Sequence, residues 1–152
     1  MIGVDTNISV YAADSRGDPV KHKMALAFVD EVSRLERGVL STQALAEFYA
    51  AVCRKNRLTP EAARAYIEAW NDLFSIRSPA ASDVTHAARI HQTHGISFWD
   101  AMMWAVLRRA GVEYLVSEDM QDGRELEGVR IVNPFALQNA RLIDRILGRF
   151  PI

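Results

Sequence analysis

Short, mostly apolar runs alternate along this chain with longer segments of helical periodicity, and that alternation constrains the fold most. The runs are Met1–Val4, Val39–Leu40, Phe74–Arg77, Tyr114–Val116 and Val129–Val132. A strand that is apolar on both faces belongs inside a sheet covered on both sides, and helical connections make such a sheet parallel. The pattern predicts an α/β fold: a three-layer α/β/α sandwich with a small, mostly parallel sheet.

The helical segments carry their own start and stop signals. Met24, Phe28, Val32 and Leu35 recur at helical spacing within His22–Leu35, and Gly38 stops that helix. Ser41 or Thr42 caps a helix from about Gln43 to Arg57. Thr59-Pro60 opens another, with Ala63, Ile67, Trp70 and Leu73 on one stripe. Ser82 opens a helix that closes near Gly95. Ser97 opens the most apolar one, Phe98–Ala110, which ends at Gly111. Ile8–Ala13 reads as a short helix and Asp14–Pro19 as a loop.

The chain has 152 residues, 49% of them apolar. No repeat or linker divides it, so one domain is predicted over 1–152, with a C-terminal helical tail over 136–152. A net charge of -1 gives no general affinity for polyanions, so any phosphate contact must come from local clusters. Cys53 is the sole cysteine, which excludes an internal disulfide and an all-cysteine metal site. Asp5 breaks the opening apolar run where a signal peptide would continue, and no stretch is long enough to span a bilayer. The expectation is a soluble, cytoplasmic protein.

Four acids stand where chemistry collects in such a fold. Ligands bind beyond the carboxyl ends of parallel strands, and helices that follow strands begin at the same rim. Asp5 and Asp119 lie just past strand candidates, whereas Glu47 and Asp100 lie in early turns of helices. Glu47 and Asp100 are also embedded in apolar stretches that contain no cation. Burying an uncompensated carboxylate is costly, and a divalent ion with oxygen ligands removes the cost. Each acid also has a plainer reading. Asp100 forms a capping box with Ser97, Glu47 faces solvent, Asp5 caps a turn, and Asp119 or Asp122 is solvated in a polar loop.

Taken together, these segments resemble the motifs of PIN domains. Asp5-Thr6-Asn7 after the first strand is similar to the opening motif, Ser41-Thr42-Gln43 through Glu47-Phe48-Tyr49 to the second, and Ser97-Phe98-Trp99-Asp100-Ala101 to the third. Ser117-Glu118-Asp119-Met120-Gln121-Asp122-Gly123 with Val129–Phe135 resembles the closing segment. The likeness covers residues 1 to about 135 and is nearest to VapC-type toxins of toxin–antitoxin pairs.

The resemblance implies an endoribonuclease dependent on Mg²⁺ or Mn²⁺. It also implies a homodimer, inhibited by a cognate antitoxin in a heterotetramer or larger assembly. Carried over, Asp5, Glu47, Asp100 and Asp119 are the catalytic and metal-binding acids, Asn7 and Ser117 support them, and Asp122 is an auxiliary acid. Ser117 departs from the family's common threonine but keeps the hydroxyl.

Other features are less specific. Arg108 and Arg109, with Arg54, Lys55 and Arg57, are candidates for phosphate contact, although helix ends explain them as well. Arg141, Arg145 and Arg149 form one stripe that also reads as a solvated helix face. His91 and His94 lack further zinc ligands. Two alternatives stand beside the nuclease: a non-catalytic PIN-like scaffold that binds partners only, and an Mg²⁺-binding phosphoacceptor receiver domain. The receiver would need paired acids after the first strand and a lysine near the last, where this chain has Asp5 alone and Asn133-Pro134.

Overall fold

The computed structural model of the chain describes residues 1–149. Strand β1 (Ile2–Val4) leads into helices α1 (Thr6–Ala13) and α2 (Pro19–Arg34), then β2 (Gly38–Ser41), α3 (Thr42–Arg54) and α4 (Pro60–Leu73). There follow β3 (Ser75–Arg77), α5 (Ala81–His94), α6 (Phe98–Arg109), β4 (Tyr114–Val116), β5 (Glu125–Leu126), β6 (Val129–Val132), a 3₁₀ turn (Leu137–Asn139) and α7 (Ala140–Ile146). The sheet order is β3-β2-β1-β4-β6-β5, parallel throughout except for β5. Chain order reverses between β1 and β4, so the switch point lies where Asp5 and Ser117 leave the sheet.

Alternate residues of each strand serve separate cores, as the strand period of two requires. Ile2, Val4, Leu40, Val116 and Val132 join Phe28, Phe48 and Trp70 on the face covered by α1–α4 and α7. Val39, Leu115 and Ile131 join Ile90, Trp104 and Leu107 on the α5–α6 face. These two cores define the three layers. Burial of each large apolar side chain contributes roughly 1.5–3 kcal/mol. Phe48 also meets Trp70 edge-on, with centroids 4.7 Å apart. Gly38 permits the tightest approach: a Cβ there would lie 2.3 Å from the Phe74 ring.

Side-chain caps set the helix starts that matter for the site. Asp18 accepts from the amides of Val20 (2.9 Å) and Lys21 (3.0 Å), so α2 begins at Pro19, three residues before the start expected from periodicity. Ser41 caps α3, Thr59 caps α4 and Ser97 caps α6. Helix α3 stops at Arg54 rather than Arg57, because Asn56 takes a left-handed conformation (φ 51°). Helix α5 starts at Ala81 rather than Ser82, where Asp83 reaches back to the Ala80 amide at 2.8 Å. The β5–β6 hairpin was not expected. Glu127 (φ 45°) and Gly128 (φ 85°) both take positive φ, which a two-residue hairpin turn demands.

The tail also differs from a uniform basic stripe. Ile146 and Leu147 are buried in the first core, and the Arg37 guanidinium donates to the Ile146 carbonyl at 3.0 Å. Arg149 lies beyond α7 and pairs with Asp144 at 3.1 Å, while Arg141 is exposed. The last three residues of the expected tail, 150–152, lie outside the described residues. Among the described residues, no helix is long and apolar enough to cross a membrane.

Candidate functional site

At the switch point, Asp5 is the end of β1 and the N-cap of α1 at once. Its carboxylate accepts from the Thr6 amide (2.6 Å), the Asn7 side-chain amide (3.0 Å) and the Ser117 hydroxyl (2.6 Å). All three donors are neutral. Asp5 is 6% exposed, and burial pushes its pKa from 3.8 up to about 6. The bonds from Ser117 and Thr6 oppose that rise, and the charges of Asp100 and Asp119 reinforce it. Desolvation, helped by the two neighbouring acids, therefore outweighs the hydrogen bonds, for a net rise of about two pKa units or roughly 3 kcal/mol.

Asn7 ties the two central strands together. Its Nδ2 also donates to Asp119 (3.1 Å), and its Oδ1 accepts from the Glu118 amide (3.2 Å). The loop after β4 is thus held to the start of α1. Ser117, fully buried, accepts in turn from the Met120 amide at 3.2 Å.

The other two acids enter from α3 and α6. Glu47 accepts from the Thr6 hydroxyl (3.0 Å) and from Gln43 (2.8 Å), and the same Gln43 amide donates to the Trp99 carbonyl (3.1 Å). Gln43 and Thr6 were not singled out from sequence. The i, i+4 spacing of Gln43 and Glu47 was the signal available. Ser97 both caps α6 and donates to the Asp100 carboxylate at 2.7 Å, so the capping box and the site use the same pair. Glu47 and Asp119 are exposed and Asp100 is half-buried. The buried acid of the set is Asp5 rather than Glu47 or Asp100, because Glu47 lies on the groove face of α3 and Asp100 in the first turn of α6, ahead of its buried stretch Ala101–Leu107.

All four acids line one groove of about 720 Å³. Seven acids line it altogether, and three of these are already compensated. Asp14 pairs with Arg57 at 3.4 Å, Asp18 caps α2, and Glu118 pairs with Lys21. The remaining four, Asp5, Glu47, Asp100 and Asp119, have no cation partner among the described residues. Their all-oxygen chemistry and the uncompensated charge fit a hard divalent ion. Among the described residues, no three His, Cys, Asp or Glu side chains stand close enough to hold an ion as they are. The hydroxyls and amides of Thr6, Asn7, Gln43 and Ser97 occupy the carboxylate oxygens that an ion would take.

Three of the residues named from sequence lie elsewhere. Asp122 accepts from the Asn133 amide (2.8 Å) and the Asn139 side chain (2.8 Å), so it pins the closing loop to the 3₁₀ turn and does not line the groove. Arg109 grips Asp83 with both Nε (3.0 Å) and Nη2 (2.9 Å), and Arg108 pairs with Glu127 at 3.2 Å. Neither arginine reaches the groove, since both are committed to the α5 and β5–β6 side of the molecule. His91 is exposed and bonded to the Ile96 carbonyl.

The sequence pattern of the PIN domain matches residues 2–121, and the chain belongs to the PIN domain family, a family of nucleases. Solved structures share its fold. VapC20 of Mycobacterium tuberculosis, a toxin that cleaves the sarcin-ricin loop, is 23% identical with a TM-score of 0.63, over 76% of this chain and 87% of that one. A toxin–antitoxin complex from Klebsiella pneumoniae is 17% identical with a TM-score of 0.65, over 90% and 100%. VapBC2 of Rickettsia felis, bound to a promoter DNA fragment, is 16% identical with a TM-score of 0.62, over 86% and 97%. No curated protein matches the chain.

Proposed function

We propose that this chain is a metal-dependent endoribonuclease and the toxin of a toxin–antitoxin pair, acting in the cytoplasm. The observation that carries this reading is the convergence of Asp5, Glu47, Asp100 and Asp119, all without cation partners, on one groove at the switch point. A Mg²⁺ or Mn²⁺ ion bound by these four acids would supply charge neutralisation, a water of lowered pKa and stabilisation of the leaving oxygen. The chain's own residues do the positioning. Asn7 and Ser117 fix the Asp5 carboxylate, Asn7 aligns Asp119, Thr6 and Gln43 aim Glu47, and Ser97 holds Asp100.

The toxin assignment is supported by fold likeness to VapC20 and to two toxin–antitoxin complexes. On that reading the partners are an RNA substrate, a second copy of the chain in a homodimer, and a cognate antitoxin in a heterotetramer or larger assembly. The test is cleavage of a mixed RNA panel with Mg²⁺, Mn²⁺ or EDTA. Cleavage with either ion and its loss in EDTA is expected. Failure to cut any RNA with both ions would favour the partner-binding scaffold.

A further inference from the structure

The groove also holds cations, at the C-terminal end of α3. Helix α3 presents Glu47, Ala50, Ala51 and Arg54 on one face, at i, i+3, i+4 and i+7, and all four line the groove together with Lys55. At 1.5 Å per residue, Arg54 lies about 10 Å along the helix from Glu47. Between them the two alanines leave the wall clear. Arg57, the third cation of the lining, is committed to Asp14, and the Arg16 guanidinium holds the carbonyls of Asn56 and Arg57. The bend after α3 is thereby fixed. Arg54 and Lys55 are exposed and, among the described residues, have no acid partner.

We propose that Arg54 and Lys55 form a phosphate subsite that grips a single RNA strand about two helical turns along α3 from Glu47. The proposal rests on the nuclease reading and deepens it. Uncompensated carboxylates repel a phosphodiester, and the chain's net charge of -1 offers no general attraction. Cations at the C-terminal end of α3 in the same groove supply the foothold and set which phosphate reaches the acids. A groove of about 720 Å³ takes a short stretch of extended strand rather than the face of a duplex.

A purely structural role makes a different forecast. Arg54 sits in the last turn of α3, where a cation complements the helix dipole. In that case Arg54→Ala/Lys55→Ala alters stability slightly and leaves RNA affinity alone. The experiment compares this double variant with the wild type by fluorescence anisotropy, using a labelled single-stranded RNA in EDTA over a range of salt. Cleavage with Mn²⁺ is followed in parallel.

The variant is expected to bind roughly tenfold more weakly, and its slope of log affinity against log salt should fall by about 1.4, the value for two single-strand phosphates. KM for cleavage should rise by a similar factor, with kcat changed less than about threefold. An Arg54→Lys/Lys55→Arg variant, which keeps both charges, should keep the salt slope. Unchanged affinity, slope and KM in the alanine variant, with an active wild type, overturns the subsite. A wild type that cuts no RNA but loses affinity in the alanine variant upholds the subsite and overturns the nuclease reading.

Discussion

Asp5 and Asp83 are both almost wholly buried, at 6% and 2% exposure, yet they sit in opposite electrostatic surroundings. Asp83 faces the forked guanidinium of Arg109 and accepts the Ala80 amide, and these hold its carboxyl below the usual range. Glu127 nearby is likewise lowered by Arg89, with Arg108 and His86 adding to the effect. Asp5 has neutral donors only, two further acids beside it, and a pKa of about 6. Acids that join α5 to α6 and to the β5–β6 hairpin come with cations supplied by the chain. Four acids of the switch-point rim, Asp5, Glu47, Asp100 and Asp119, come without them among the described residues. A buried acid with its own cation holds elements together, whereas one without is, on the proposed reading, the place for a cation from outside.

The sharpest way to break this contrast is substitution at the rim. Asp5→Asn should lower RNA cleavage by on the order of 10²–10³-fold or more while the far-ultraviolet circular dichroism stays that of the wild type. Asp100→Asn should behave likewise. Full activity in either variant, with a metal still required, contradicts the assignment.

A second test uses proton linkage. Folded Asp5 keeps its proton up to about pH 6, against 3.8 for a freely solvated aspartate. The folded state therefore binds more protons across that window, and stability in EDTA falls as pH rises from about 4 to about 6. Denaturant unfolding of the wild type minus that of Asp5→Asn should shift by roughly 3 kcal/mol between pH 4 and 7. A flat difference means that Asp5 is compensated after all.

The paired acid should answer in the other direction. Asp83→Ala should destabilise the fold by about 1–2 kcal/mol, less than a fully buried pair, because the Arg109 side chain is 44% exposed and can be solvated. Cleavage per folded molecule should be unchanged. The lowered Asp83 contributes stability above the unfolded pKa and loses it as pH falls below that value. Smallest of all is Ser117→Ala. It removes a bond that lowers the Asp5 pKa, so the stability transition of the metal-free protein should move up by less than about one pH unit.

Much of the rim was legible because it is local. Asp5 follows its strand directly, Ser97 and Asp100 are three apart, and Gly95 takes the left-handed φ (66°) that ends α5. The apolar runs at 2–4, 39–40, 114–116 and 129–132 are strands because alternate residues feed separate cores. What escaped depends on contacts between distant residues. Nothing in the spacing of Asp83 and Arg109 announces a pair 26 residues apart, and Arg109 therefore read as free for phosphate. Asp122 sits in a loop rich in acids, and only its bonds to Asn133 and Asn139 separate it from the groove. Glu47 lies among apolar neighbours in sequence but lines the groove, since helical periodicity turns Phe48 and Val52 into the core and Glu47 away from it.

The most direct measurement is calorimetric titration of the wild type with Mn²⁺ at pH 6, repeated in two buffers of different ionisation enthalpy. With its pKa near 6, Asp5 carries about half a proton there, and an ion that takes its place should release about that amount. The expected result is saturable binding with this proton release in the wild type and none in Asp5→Asn. Absence of Mn²⁺ binding, or binding that is equal in both proteins with no proton released, would contradict the claim that the four unpaired acids await a divalent ion.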